Sequence, residues 1–127
     1  MHVILCSDSA GVREAVTVAL GNRADRVTVC DSGMELLATV RTLVADLVVL
    51  DLGTHGLGGL LLVSAVQQLA PGLPIMTVST SGDVDARPMM QKGIPHVVLG
   101  LAQDREMRVL LAELTGRRAA AMGAGPR

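Results

Sequence analysis

The sequence predicts an α/β fold in which helices cover both faces of a sheet of five parallel strands. Strand-like and helix-like patterns alternate five times along the 127 residues. The clearest strand is Leu47–Asp51, where four apolar residues run unbroken to an acidic one, as in a strand buried on both faces. Half of the residues are apolar, which suffices for one core. Such alternation gives parallel strands joined by right-handed crossovers and predicts the strand order 2-1-3-4-5.

Five short segments carry the strand pattern. Most are apolar runs bounded by turn residues, and the second alternates between apolar and polar residues, as a half-buried strand does. The predicted strands are His2–Cys6, Arg26–Cys30, Leu47–Asp51, Pro74–Ser79 and Pro95–Leu99.

The segments between the strands carry helical periodicity, with apolar residues on one face. Ser9 is placed to cap the first helix, and Ser32 with Glu35 has the spacing of a capping box. Pro88 falls inside the fourth helix and removes a hydrogen bond, so we expect that helix to be short or distorted. The predicted helices are Ala10–Leu20, Ser32–Leu43, Leu60–Leu69, Asp83–Lys92 and Asp104–Leu114. The whole is a flavodoxin-like, doubly wound (βα)5 architecture.

The composition predicts one domain over residues 1–116, followed by a disordered tail or linker over 117–127. The absence of Phe, Tyr and Trp excludes aromatic cages and base-stacking platforms. A formal net charge of -1 gives no basic field for nucleic acid, and no apolar run is long enough for a membrane span. The cytoplasm is the expected location. Cys6 and Cys30 lie in apolar strands, where thiols more often fill the core than form a disulfide.

Acidic residues follow the first and third predicted strands at Asp8 and Asp51. In the order 2-1-3-4-5 the winding reverses between strands 1 and 3, so both acids fall at the edge where such sheets bind ligands. Two carboxylates with nearby carbonyls suit Mg²⁺, and a carboxylate beside this cation can attack a phosphorus centre. Ser79 and Thr80 follow strand 4 and offer hydroxyl donors to phosphoryl oxygens. Gly53 leaves room beside the backbone.

Several motifs occur together along nearly the whole chain. They are Ile4–Asp8 with Arg13, Leu47–Leu52, Gly59, Leu73–Ser79, and Lys92-Gly93 followed by Val97–Leu99. With these motifs the chain resembles the receiver domain of two-component response regulators.

The resemblance implies that Asp51 accepts a phosphoryl group in a phosphorelay. The partner would be a histidine kinase or another signalling protein. Asp8, Asp51 and the main-chain carbonyl of Gly53 would hold Mg²⁺. Ser79 and Thr80 would contact the phosphoryl group and shift the face formed by helix 4, strand 5 and helix 5, through which two copies could form a homodimer. Such a module regulates other proteins and is not an enzyme, and this domain would bind neither membrane nor nucleic acid directly.

The chain departs from the receiver pattern at positions that matter for switching. Ser7 stands where the family has a second acid, Val97 at its aromatic switch position, and Gly100 where its lysine pairs with the phosphoryl group. Arg87 and His55 are the candidates to replace that lysine. These departures predict an atypical receiver with weak Mg²⁺ binding and weak or phosphorylation-independent switching. We expect phosphorylation to shift the switch by at most about tenfold, or about 1.4 kcal/mol.

The glycine-rich segment Gly53–Gly59 leaves one alternative from another class. It is reminiscent of the nucleotide loop of universal stress proteins, although Val66 stands where that family continues with a glycine-serine pair. Saturable ATP binding in calorimetry would favour this alternative.

Overall fold

The computed structural model describes residues 1–54, 58–80, 85–99 and 107–114. Its strands are β1 (His2–Cys6), β2 (Arg26–Cys30), β3 (Leu47–Asp51), β4 (Ile75–Ser79) and β5 (His96–Val98). They form one sheet in the order β2-β1-β3-β4-β5, and all neighbouring strands are parallel. Every residue of the central strands β3 and β4 is buried, as their apolar runs require. The predicted architecture and strand order are confirmed.

The helices lie close to their predicted positions. They are α1 (Ala10–Leu20), α2 (Gly33–Thr42), α3 (Gly59–Leu69), α4 (Arg87–Gln91) and α5, of which residues 107–114 are described. The Ser9 hydroxyl accepts a hydrogen bond from the Val12 amide at the start of α1. The Ser32 hydroxyl accepts one from the Glu35 amide at the start of α2. Both predicted N-caps are therefore confirmed.

The fourth helix is shorter than the sequence pattern predicts. It begins at Arg87, while the predicted start at residue 83 lies outside the described part of the chain. Pro88 stands in the first turn, where backbone amides have no partner within the helix. The expectation of a short helix is confirmed. The expected loss of a hydrogen bond at an interior proline is wrong, because a proline in the first turn costs no helical bond.

The sheet separates two hydrophobic layers. One layer lies against α1 and α5 and includes Met76, Val97 and Met107. The other lies against α2, α3 and α4 and includes Ile75 and Met89. Side chains alternate between the two faces along a strand, so consecutive residues of β4 and β5 belong to opposite layers. This alternation decides which side chains of β5 can reach the hydroxyls of β4.

Three smaller predictions concern the cysteines, the absence of a membrane span and the tail. Cys6 and Cys30 are free, buried thiols that lie opposite each other in the β1–β2 register, as expected of core residues. Among the described residues, no helix is both long and apolar enough to cross a membrane. The predicted tail, residues 117–127, lies outside the described residues.

Candidate functional site

Asp51 ends β3 with its carboxylate held on both sides by the protein. The side chain is buried, with only 4% of the residue exposed. The Ser7 hydroxyl donates to Oδ2 at 2.8 Å, and the Gly53 amide donates to Oδ1 at 2.9 Å. A buried carboxylate needs such donors, because they replace the water that burial removes. The arrangement fixes the orientation of the carboxylate at the carboxyl edge of the sheet.

Ser7 is the residue whose role sequence reasoning missed. The sequence indicated only that Ser7 stands where the family has a second acid. In the structure its hydroxyl is a hydrogen-bond partner of Asp51. Its own amide donates to the Cys30 carbonyl at 2.9 Å, and its hydroxyl accepts from the Ser9 amide at 3.1 Å. Its proton can go to Asp51 Oδ2, the nearer acceptor, or to the Ser9 carbonyl at 3.4 Å, so the hydroxyl can turn between the two. The signal in the sequence was its position at the end of a strand next to β3.

Asp8 lies at the same edge of the sheet but differs from Asp51 in exposure. It follows β1, which pairs with β3 up to Cys6 and Leu50, and its side chain faces solvent. Asp8 also takes part in an interaction of its own. The topology therefore brings the two predicted acids to one edge, one of them buried and the other exposed.

The oxygen atoms at this edge fit a hard cation such as Mg²⁺, though with a reduced set of charges. Each carboxylate oxygen has two lone pairs, so the bonds from Ser7 and Gly53 leave Asp51 able to accept more. A Cβ atom at position 53 would lie 3.3 Å from Asp51 Oδ1, so glycine keeps this side open. Within the described residues, no group of three or more His, Cys, Asp or Glu side chains could hold a metal. A cation here would keep several waters and bind weakly.

On the neighbouring strand, Ser79 belongs to a partly buried hydrogen-bond network. It follows Val78, the residue that pairs with Asp51 in the β3–β4 register. Its Oγ lies 3.0 Å from Nε2 of His96, and Nδ1 of the same ring lies 2.8 Å from Thr77 Oγ1. Burial lowers the pKa of His96 below its ordinary value. One imidazole ring therefore bridges two hydroxyls of β4 at the end where Asp51 lies.

A neighbour of the expected switch position contacts the hydroxyl of Ser79. Val97, the residue at that position, packs its side chain in the layer of α1 and α5. The alternation of side chains brings the preceding residue, His96, to Ser79 instead. Val97 offers no ring, but β5 brings the imidazole of His96 to Ser79.

Of the two predicted replacements for the missing lysine, the structure describes Arg87 but not His55. Arg87 is exposed and pairs with Asp85 at 3.0 and 3.1 Å, so its guanidinium is engaged at the start of α4. His55 and the lysine position, Gly100, lie outside the described residues. Thr80, the second predicted hydroxyl, is described and faces solvent.

One glycine of the glycine-rich segment has a packing explanation. A Cβ atom on Gly59 would lie 2.8 Å from Cδ2 of Leu52 and 3.3 Å from Cε of Met89. Glycine thus lets the start of α3 approach these two side chains. Residues 55–57 lie outside the described part.

Comparison with known proteins gives one consistent answer. Residues 3–111 match the family model of the response regulator receiver domain, which includes the glycine-rich segment. The chain is 28% identical over 94 residues to the transcriptional regulatory protein GlrR of Escherichia coli (strain K12). It is equally similar to QseF of Escherichia coli O157:H7. The match covers 73% of this chain and 21% of each relative, so this chain spans about a fifth of their length.

Solved structures agree on the fold. The signal receiver domain of a putative LuxO repressor protein from Vibrio parahaemolyticus superposes with a TM-score of 0.81, at 16% identity, over 99% of this chain and 98% of that one. A CheY-like receiver domain protein from Methanospirillum hungatei JF-1 gives 0.78 at 14% identity, over 94% and 97%. CheY4 of Vibrio cholerae superposes with a TM-score of 0.73 at 19% identity, over 89% of this chain and 97% of that one. At such identities the likeness concerns the fold.

Proposed function

Because the chain belongs to the response regulator receiver domain family and acts in two-component signalling, we propose that Asp51 is its phosphoacceptor. The observation that carries the proposal is the held carboxylate at the end of β3, with Ser7 on one oxygen and Gly53 on the other. A nucleophile fixed before the reaction loses little orientational freedom when the phosphoryl donor arrives. The donor is the phosphohistidine of a histidine kinase, or a small acyl phosphate in its place.

The chemistry at Asp51 is a phosphoryl transfer. A carboxylate oxygen forms a bond to phosphorus while the bond from phosphorus to the donor breaks, with the histidine imidazole of the kinase or the carboxylate of the acyl phosphate as leaving group, and the product is an aspartyl phosphate. Oδ1 and Oδ2 differ in their partners, since one accepts from a backbone amide and the other from a hydroxyl. We propose that the Gly53 amide keeps the side chain in place during the transfer, because the hydroxyl can turn away and the backbone cannot.

The metal proposed for this site is Mg²⁺, held by the carboxylates of Asp8 and Asp51 and the carbonyl of Gly53. When bound, Mg²⁺ neutralises negative charge on the transferred group. Ser7 replaces a carboxylate, so the cation gains one negative charge fewer than it would from a pair of acids at the end of β1. Binding is therefore weak, and phosphorylation is expected to require millimolar rather than micromolar Mg²⁺.

The response is proposed to leave the site through the hydroxyls of Ser79, the last residue of β4, and Thr80, which follows it, toward the face formed by α4, β5 and α5. Among the described residues of that face, Met90, Val98 and Val109 are exposed apolar side chains. Beside them lies a groove of about 290 Å³. Its lining includes Met90, Ile94, Pro95, Leu110 and Leu114. Contiguous apolar surface of this kind suits a protein partner. We propose that a signalling protein or a second copy of this chain binds there, and that the domain works as a regulator in the cytoplasm.

The proposal is tested by exposure of the protein to acetyl phosphate and Mg²⁺, followed by intact-mass measurement. We expect a fraction of the protein to gain the mass of one phosphoryl group, and Asp51→Asn to gain none. Asp31→Asn is the matched control, because Asp31 is an exposed carboxylate paired with Arg13 at 3.2 Å. Equal labelling of wild type and Asp51→Asn would contradict the proposal.

A further inference from the structure

His96 is the ionisable side chain that contacts the proposed phosphate-sensing hydroxyl. It lies on β5 opposite Thr77 in the β4–β5 register, and each ring nitrogen contacts one hydroxyl. Thr77 Oγ1 also lies 3.1 Å from the Pro95 carbonyl, to which it can donate. Both nitrogens are thus engaged by hydroxyls that can donate or accept.

The number of protons on the ring decides how Ser79 is used. A neutral imidazole has one donor and one acceptor nitrogen, so Ser79 can donate its hydroxyl proton to Nε2. An imidazolium donates from both nitrogens, so Ser79 must then accept from Nε2 and direct its own proton elsewhere. Thr77 can satisfy the imidazolium without change, because it accepts from Nδ1 while donating to the Pro95 carbonyl.

A phosphoryl group on Asp51 makes the opposite demand on the same hydroxyl. Its oxygens accept hydrogen bonds and carry negative charge, so they favour Ser79 as a donor toward the acid site. Ser79 then has a lone pair, not a proton, to offer Nε2. Thr77 donates its proton to the Pro95 carbonyl and therefore accepts from Nδ1, which keeps its proton. Nε2 can then donate to Ser79 only after the ring takes a second proton from solvent.

We infer that His96 is a positioning residue that links phosphorylation of Asp51 to uptake of one proton. The unmodified domain holds a neutral His96 that accepts from Ser79. The phosphorylated domain holds a protonated His96 that donates to Ser79, while Ser79 donates to the phosphoryl group. Phosphorylation is therefore favoured at low pH, so the phosphorylated fraction of the domain depends on the pH as well as on its kinase. This inference rests on the proposed role of Asp51.

Charged groups surround β5 on the neighbouring elements. Among the described residues these are Asp85, Arg87 and Lys92 beside α4, and Arg108 and Glu113 on α5. Asp85 and Arg87 pair with each other, and α5 packs on the sheet face opposite His96. Burial lowers the pKa of His96 and so favours the neutral ring in the unmodified domain. The phosphoryl group is the negative charge that changes this.

The test compares the affinity for beryllofluoride with Mg²⁺ at pH 5.5 and pH 8, in wild type and in His96→Gln. Beryllofluoride serves as a phosphoryl mimic. The variant reports the pH dependence of the reagent itself, so only the excess in wild type belongs to His96. From pH 5.5 to pH 8, we expect the affinity of wild type for beryllofluoride to fall at least about fivefold more than that of the variant. This is the effect of an allosteric coupling of ordinary size. The imidazole proton resonances of His96 should titrate with a higher midpoint in the complex than in the unmodified domain.

Two further variants separate positioning from folding. Ser79→Ala should abolish the excess pH dependence, whereas Ser79→Thr, which keeps a hydroxyl, should retain it. Saturable binding with equal pH dependence in wild type and His96→Gln would overturn the inference and leave Asp51 as phosphoacceptor. Absence of both beryllofluoride binding and acetyl phosphate labelling would overturn the proposed function, and the inference with it.

Discussion

The contact between Ser7 and Asp51 can be removed by Ser7→Ala. The substitution deletes one oxygen atom and leaves almost no cavity, so lost hydrogen bonds dominate its effect. Asp51 Oδ2 loses a donor at 2.8 Å, and the Ser9 amide loses an acceptor at 3.1 Å. A hydrogen bond to a charged group contributes about 1.5–3 kcal/mol, because its loss leaves a buried charge without that donor. We expect the free energy of unfolding to fall by about 2–3 kcal/mol.

The assay is urea unfolding at pH 7, followed by far-ultraviolet circular dichroism because the chain contains no Trp or Tyr. Thr17→Ala is the control, since the Thr17 hydroxyl donates to the Arg13 carbonyl at 2.7 Å on an exposed helix face. That loss should cost less than about 0.5 kcal/mol. In the Asp51→Asn background, Ser7→Ala should cost only about 1 kcal/mol, because the hydrogen bond is then neutral.

A cost for Ser7→Ala as small as that of Thr17→Ala would refute the reasoning. It would mean that water replaces the Ser7 hydroxyl at Asp51 without loss. An equal cost in the wild-type and Asp51→Asn backgrounds would place the effect in the Ser9 contact instead.

Two further predictions follow from the same structure. Without metal, Ser7→Asp should lower the free energy of unfolding, because two adjacent acids repel each other until a cation binds. Addition of 10 mM Mg²⁺ should raise the free energy of unfolding of this variant by at least about 1.4 kcal/mol, and that of wild type by less. Equal increases in the two proteins would contradict the role given to Ser7. Burial raises the pKa of the Cys6 thiol from 9.0 to about 12, so its contribution to stability is complete below pH 9 and lost as the pH rises toward 12. Unfolding free energy should therefore fall above pH 9, by at most about 1.4 kcal/mol per pH unit from this thiol, and Cys6→Ala should flatten the profile measured by urea unfolding. An unchanged alkaline slope in Cys6→Ala would show that the thiol is not protected.

The fold was predictable because its signals are local. The buried run of β3, the alternation of strands with helices and the caps at Ser9 and Ser32 each follow from residues close in sequence. The start of α4 was missed because Pro88 fits either a broken helix interior or a first turn, and only the preceding backbone decides between them.

The site was predicted only in part, because its contacts join distant segments. The placement of Asp51 and Asp8 at one edge of the sheet was predictable, because it follows from their positions at the ends of strands and from the strand order. The hydrogen bond between Ser7 and Asp51 depends on the register between β1 and β3, which cannot be determined from a single sequence. Val97 and Val98 are both apolar, so β5 shows no alternation that would indicate which of its faces His96 occupies.

The expectation of a weak switch stays a prediction. It rested on Gly100, which offers no charge, and on Val97, which offers no ring. His96 supplies a ring in contact with Ser79, and that ring can also acquire a charge. A switch that is weak at pH 8 and stronger at pH 5.5 would agree with both the sequence and the structure.

The measurement that tests the account most directly is the location of the phosphoryl group. Protein labelled with acetyl phosphate and Mg²⁺ is treated with borohydride, which reduces an aspartyl phosphate to homoserine, and its peptides are sequenced by mass spectrometry. The account predicts homoserine at position 51 and unmodified aspartate at positions 8 and 31. Homoserine at either of those positions, or at none, would contradict the assignment of Asp51 as the phosphoacceptor.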